Sequence, residues 1–274
     1  MIGVVFMETL RRKWRQMIYW GLGVSLWGVT PFFMLPSNPV KLDEMMQQYT
    51  GIAENWGSLM QAVGLSDAAM LGTPKGFVGY YLFSFMLLIL AIYAVLAGLN
   101  VTANEEEDGA MDVLLSLPIP RWRLVVEKVL AYSVMIVGIL ILGSVGMLIG
   151  VAFSTIDLEV SAARLLAGMF NILPGTLLIL TFTALMGALL RRRSTAIAAS
   201  SLFVVAGYLF DAIGRASGKE LMDHLRQITV FAHYNGTSIL LTGLNWNDVI
   251  GLLVVSVLLL VGAILFFERR DIAV

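Results

Sequence analysis

The sequence predicts an all-α, polytopic integral membrane protein that crosses the bilayer six times, and three observations carry that expectation. First, six stretches dominated by apolar residues are each near or above the roughly 20 residues that a helix rising about 1.5 Å per residue needs to cross about 30 Å of hydrocarbon. Second, the 274-residue chain is 58% hydrophobic and 14% charged. Its mean hydropathy of +0.84 is far above what a soluble domain of this length needs. Third, twelve of the eighteen Lys and Arg gather on one of the two sides that six crossings would define. Helices are the expected solution because lipid offers backbone groups no partner, so each span must satisfy its own.

Taken in order, the spans are expected at Met17 to Leu35, Phe77 to Ala103, Val129 to Phe153, Leu165 to Leu190, Thr195 to Ile213 and Val249 to Phe267, within one membrane domain covering residues 1–274. Ahead of the first, Phe6, Leu10, Trp14 and Met17 fall on one helical face and Arg11, Arg12 and Arg15 elsewhere. That pattern predicts an N-terminal amphipathic interface helix at the headgroup level. A signal peptide fits less well, because no small-residue cleavage site follows Leu35. Two loops are long, residues 36–76 and 214–247. In the first, Asn38 and Pro39 form a helix-start signal ahead of Leu42, Met45, Met46 and Tyr49 at helical spacing. In the second, Ser217 to Glu220 has the form of a capping box ahead of a short amphipathic helix, followed by a turn near His233 to Gly236 and an apolar strip, Ile239 to Leu241. That strip could dip into the outer leaflet, and Trp246 is placed to anchor the last span at the interface.

Of the eighteen Lys and Arg, twelve fall on the side that would hold both termini: Arg11, Arg12, Lys13, Arg15, Arg121, Arg123, Lys128, Arg191, Arg192, Arg193, Arg269 and Arg270. The positive-inside rule therefore predicts cytoplasmic termini. On that same side lies the chain's one concentrated polar island, the segment 104–128, NEEEDGAMDVLLSLPIPRWRLVVEK. Glu105, Glu106, Glu107 and Asp108 suit a helix N-terminus, and Met111, Leu114 and Leu115 then form a small apolar face. Pro118 and Pro120 stop that helix, and Arg121, Trp122 and Arg123 start the next span. Two roles fit such a helix, insertion into a groove on a partner or a solvated loop resting on headgroups; the acidic residues count against the second.

Catalytic signals are weak. Gly214 to Glu220 has a three-residue spacing between its glycines and Glu after the Lys, so it departs from a phosphate loop. His224 and His233 lack companions at ligand spacing, no metal site is predicted, and the absence of cysteine excludes disulfides and thiolate sites. Asn235 to Thr237 fits a glycosylation acceptor, a pattern common by chance. The spans hold almost no ionisable groups, Asp211 being the main exception. Gly143, Gly146, Gly150 and the small-residue run 194–201 suit close helix packing, either within the chain or between subunits. Asn171, Pro174, Thr181 and Thr183 make the fourth span the most polar; it could kink and line a translocation path, or its hydroxyls could simply bond their own helix.

The chain resembles the permease subunit of ABC-2 type transporters over nearly its whole length. The residues that carry the resemblance are the basic lead-in ETLRRKWR (8–15), the segment EDGAMDVLLSLPIPR (107–121) with Glu127 and Lys128, the region VFAHY (230–234) and the terminal FERRDI (267–272). The resemblance implies a type V exporter-like membrane domain forming one half of a dimer, with a second copy or a paralogous permease as the other half. It implies a multi-pass protein of a prokaryotic plasma membrane. It also implies that the loop between spans two and three is a coupling helix seated on a separate ABC ATPase, a role falling on Glu105, Glu106, Glu107, Gly109, Met111, Asp112, Leu114, Leu115, Pro118 and Arg121. ATP and Mg would then be held by the partner, no catalytic residue or cofactor is expected in this chain, and nucleic acid is not an expected partner. Short re-entrant helices are implied between spans five and six. The long loop 36–76 departs from the commoner pattern.

The function predicted is ATP-driven export of an amphipathic or hydrophobic substrate such as a drug, antibiotic, peptide or lipid. The alternatives are an ATPase-driven mechanical transmitter or anchor acting on an exterior partner, and a secondary transporter or channel. The last would predict inverted repeats and midplane ionisable groups, which the sequence does not display.

Overall fold

The structure, a computed structural model, describes residues 3–62, 71–102, 120–156, 158, 160–190, 192–217, 219–234, 236 and 239–269. The described residues contain helices and no strands, and six helical segments are long and apolar enough to span a membrane.

The first, α1 (Val4–Met34), is a single 31-residue helix. At about 1.5 Å per residue it measures roughly 46 Å, more than hydrocarbon alone requires. The amphipathic lead-in is therefore present as the first turns of α1, not as a separate interface helix. The reason is its apolar face: Phe6, Leu10 and Met17 pack on the protein core, while Arg11, Arg12 and Arg15 stay exposed. The chain that follows α1 folds into α2 (Pro39–Asn55) and α3 (Gly57–Ala62). Asn38 caps α2 by accepting from the Val40 amide, with Pro39 at the first helical position. Met46 is buried and Leu42, Met45 and Tyr49 pack on the core, so the loop covers the bundle end.

Span two is two helices, α4 (Pro74–Phe83) and α5 (Met86–Leu99), broken at Ser84 and Phe85. Span three, α6 (Arg121–Phe153), is continuous. Span four is also two helices, α7 (Ala162–Phe170) and α8 (Ile172–Leu189), interrupted at Asn171. Pro174 explains the position: its ring removes one amide and clashes with the carbonyl four residues back, at Phe170. Span five is α9 (Arg193–Ser217). The connection to the last span carries α10 (Glu220–Gln227), α11 (Val230–Tyr234) and α12 (Ile239–Thr242) before α13 (Trp246–Arg269). The capping box expected at Ser217 does not form. Ser217 ends α9, and Lys219 precedes α10 without a side-chain cap. The apolar strip also behaves differently from the expectation: Ile239 and Leu240 are buried in the protein core.

The most extensive helix pair is α1 with α6, which run in the same direction in steady register: Met17 meets Gly138, Val24 meets Gly143, Ser25 meets Gly146 and Phe32 meets Gly150. The three span-three glycines thus serve packing within the chain. A Cβ at Gly146 would collide with the Ser25 carbonyl. The other centre of the fold is α8, which touches α5, α6, α9 and α13. Spans two and four are the most enclosed, and span six is the most exposed. Much of the small-residue run on α9 faces outward, including Ser194, Thr195, Ala198 and Ser201.

Candidate functional site

Two regions of the bundle concentrate polar chemistry, one at each end. At the end carrying Arg11, Arg12, Arg121, Arg192, Arg193 and Arg269, the connections are short or polar. The turn between α8 and α9 comprises only residues 190–192, whereas the chain between α5 and α6 occupies residues 100–120. The sequence-predicted docking residues Glu105, Glu106, Glu107, Gly109, Met111, Asp112, Leu114, Leu115 and Pro118 lie outside the described residues. Arg121 is described, and it opens α6 immediately after Pro120.

Two adjacent residues of α6 hold helix ends beside that segment, Glu127 the start of α1 and Lys128 the end of α5. α1 begins after Gly3, which has φ of +88° and no side chain with which to cap. Glu127 supplies the cap from α6: one carboxylate oxygen accepts from the Val5 amide at 3.0 Å and the Phe6 amide at 3.1 Å, the other from the Gly3 amide at 3.0 Å. Arg123, one turn earlier, donates to the same carboxylate at 2.7 Å. These amides have no partner within α1, and the helix dipole there favours negative charge. Lys128 faces the other way, since consecutive helical residues point about 100° apart. Its ammonium donates to the Asn100 carbonyl at 3.3 Å and the Val101 carbonyl at 3.4 Å, at the negative end of α5. Glu127 and Lys128 are 8% and 3% exposed, so both charges are committed to these contacts. Next to them Thr102, fully buried, donates to the Ala184 carbonyl of α8. Removing either charge would strand its partners in a buried setting, a loss of about 3 kcal/mol.

At the opposite end, the breaks in spans two and four are tied together by Tyr234. Its hydroxyl donates to the Phe83 carbonyl at 3.0 Å, at the break between α4 and α5. Its own carbonyl accepts from the Asn171 side-chain amide at 2.6 Å, at the break between α7 and α8. The indole of Trp27 donates to the Tyr81 carbonyl at 3.2 Å and stacks on the Tyr81 ring. Backbone groups released where a span is interrupted thus find side-chain partners, as a lipid setting demands. Burial pushes the Tyr234 hydroxyl well above the ordinary phenolic range, keeping it a donor. His233 bridges Asp248 at 2.7 Å and the Gln227 carbonyl at 2.8 Å, fixing α11 against α10 and α13. Asp211, 2% exposed, accepts from Arg215 on its own helix and from Arg226 of α10 at 3.0 Å.

The four fourth-span residues picked out as a possible path separate. Asn171 borders a polar cavity of about 340 Å³ shared with His233, Tyr234 and Asn245. Pro174, Thr181 and Thr183 are buried within the bundle. Thr181 bonds the Leu177 and Leu178 carbonyls of its own helix. Thr183 packs over Gly98 of α5, and among the described residues its hydroxyl has no partner. An apolar groove of about 420 Å³ lies between α5 and α9, bordered by Ile92, Val95, Leu96, Ile197, Ser201 and Val205.

From the sequence, Glu127, Lys128 and the stretch 230–234 had no role as helix caps or ties: Lys128 counted as one of the basic residues of its side, and all of them carried a resemblance. The signal available for the first two was a charged pair inside the opening turns of an apolar helix, an arrangement that requires partners. Nothing local distinguishes Tyr234, whose hydroxyl partner is 151 residues away.

Six helical segments long enough to span a membrane, two of them interrupted, with a helical cap at one end and a polar segment between spans two and three, make up a polytopic membrane protein. The sequence model of the family described as ABC-2 family transporter protein matches residues 5–272. The chain belongs to that family and is an ABC transporter permease, a class that works with an ABC ATPase in a membrane. Comparison with individually curated proteins gave no match.

Proposed function

We propose that the chain is one membrane-spanning half of an ATP-driven exporter, and that residues 105–121 form the surface on which the ATPase docks. One observation carries this reading: at the basic end of the bundle, the segment between α5 and α6 is far longer than the 190–192 turn, and the end of α5 from which it leaves is held by the buried Lys128 of α6. Glu105, Glu106, Glu107 and Gly109 open the docking helix; Met111, Leu114 and Leu115 supply the apolar face, with Asp112 beside it, and Pro118 and Arg121 close the segment. ATP and Mg reside on the partner. The excess of basic residues at this end supports a cytoplasmic placement of both termini, in a prokaryotic plasma membrane.

ATP binding draws two such segments together, and the two six-span halves move between inward-open and outward-open arrangements. The shift requires that ATP bind one arrangement more tightly than the other. The apolar groove between α5 and α9 supports an amphipathic or hydrophobic substrate, or the seat of a second permease. Asn171, Pro174, Thr181 and Thr183 remain the proposed lining of a path once the halves separate. Purification from the native membrane in mild detergent tests docking: an ABC ATPase is expected with the unaltered chain and not with Leu114→Asp. Equal recovery from a folded, inserted variant would contradict the assignment.

A second reading is supported by the exterior helices. Val40, Ile52, Trp56 and Leu59 are exposed on α2 and α3, a surface suited to an exterior partner moved by the bundle rather than a substrate passed through it. Capture of an exterior protein through this loop, without substrate-stimulated hydrolysis, would favour that alternative.

A further inference from the structure

The pair Glu127 and Lys128 has a geometry that caps alone do not require. A carboxylate at a helix N-terminus and an ammonium at a helix C-terminus are each common, but here they are consecutive residues serving two different helices. Glu127 holds the first turn of α1 through three amides, and Lys128 holds the last carbonyls of α5. Both helices are therefore fixed to the second turn of α6. The segment proposed to meet the ATPase leaves α5 just beyond the Lys128 contact and returns to α6 one turn before Arg123, itself paired to Glu127.

We infer that Glu127 and Lys128 are positioning residues of the transport cycle. They lock the start of α1, the end of α5 and the start of α6 into one body, so that displacement of the docking segment is delivered to three spans at once. This rests on the docking assignment above. A pull on one flank of the segment reaches α5 and α6 through the chain itself; it reaches the first turn of α1 through Glu127, and the rest of α1 through its glycine-lined packing against α6. The buried setting makes the links stiff: neither charge can turn to water without leaving unpaired backbone groups. Coupling between sites requires such an element, whose arrangement both sites bias.

The test uses the permease reconstituted in nanodiscs with its co-purifying ATPase. The readouts are the amount of ATPase bound and the change in ATP hydrolysis that the permease causes, which linkage ties to the conformation of the spans. Variants are Glu127→Gln, Lys128→Met and the conservative Lys128→Arg. Asp211→Asn serves as control, since it breaks a buried charged pair at the other end of the bundle. Glu127→Gln and Lys128→Met are expected to bind the ATPase normally while the permease-dependent change in hydrolysis falls about fivefold or more. Lys128→Arg should restore most of it, and Asp211→Asn should retain it. Full permease-dependent hydrolysis in Glu127→Gln and Lys128→Met, or an equal loss in Asp211→Asn, would overturn the inference by reducing the pair to ordinary stabilisation. Failure of the unaltered permease to bind any ATPase would instead remove the docking assignment, and this inference with it.

Discussion

Tyr234 ties together two departures from helical geometry, one through its hydroxyl and one through its backbone carbonyl. A span interrupted inside a bilayer leaves carbonyls without amides, and each buried orphan costs about 1–3 kcal/mol. The Tyr234 hydroxyl supplies that donor to Phe83, while its carbonyl accepts from the Asn171 side chain and so docks the same residue beside the break in span four. Replacing the hydroxyl by hydrogen keeps the ring's packing and removes the bond. Tyr234→Phe is therefore expected to lower stability by about 1–3 kcal/mol, read as a lower midpoint of thermal unfolding in detergent. An unchanged midpoint would mean that the Phe83 carbonyl finds another partner. Asp211 follows the same logic with charge. Sequence alone marked it as the ionisable exception of the spans, but its pairing to Arg226 required the fold of α10 to bring that residue back beside α9.

Among elements, the pairing of α1 with α6 depends on glycines that admit a neighbouring helix at backbone distance. Gly28 lies against the Gly143 carbonyl and the Met147 amide, and Gly146 against Ser25. Gly23, also in α1, faces open space. The contrast predicts different outcomes for one added methyl. Gly146→Ala should destabilise the bundle by about 1–3 kcal/mol through overpacking, whereas Gly23→Ala should be neutral or slightly stabilising through helix propensity. Parallel thermal melts of the two variants check this; equal midpoints would show that α6 can move away from α1 without loss. The spans were legible from their apolar lengths because lipid imposes a length directly on the sequence. Their interruptions were less so. Pro174 marked the weak point of span four, although the break falls nearer residue 170, where its ring meets the preceding turn. Span two carries no proline at its break, and the donors that tolerate it, Trp27 and Tyr234, are remote in sequence. The expected interface helix merged into α1 because the cap that begins it belongs to α6, a contact invisible to a local reading.

For the whole molecule, the arrangement separates two tasks. The loop end is consolidated by α2, by the α10 to α12 connection and by Tyr234. At the basic end, Glu127 caps the start of α1 and Lys128 the end of α5, both charges buried. Charge is scarce in the chain and gathers in and around the segment 104–128. The function proposed on that basis is mechanical: a partner that burns ATP moves a rigid corner of the bundle, and the spans follow. Because the chain has no cysteine, one can be placed without background. The most direct measurement is contact itself, with Asp112→Cys carrying a photoactivatable group, irradiated in native membranes and the adduct sequenced. The predicted result is an adduct to an ABC ATPase that disappears when Leu114→Asp is added. Adducts to lipid alone, with the protein intact and inserted, would contradict the claim that this segment is where the permease receives its drive.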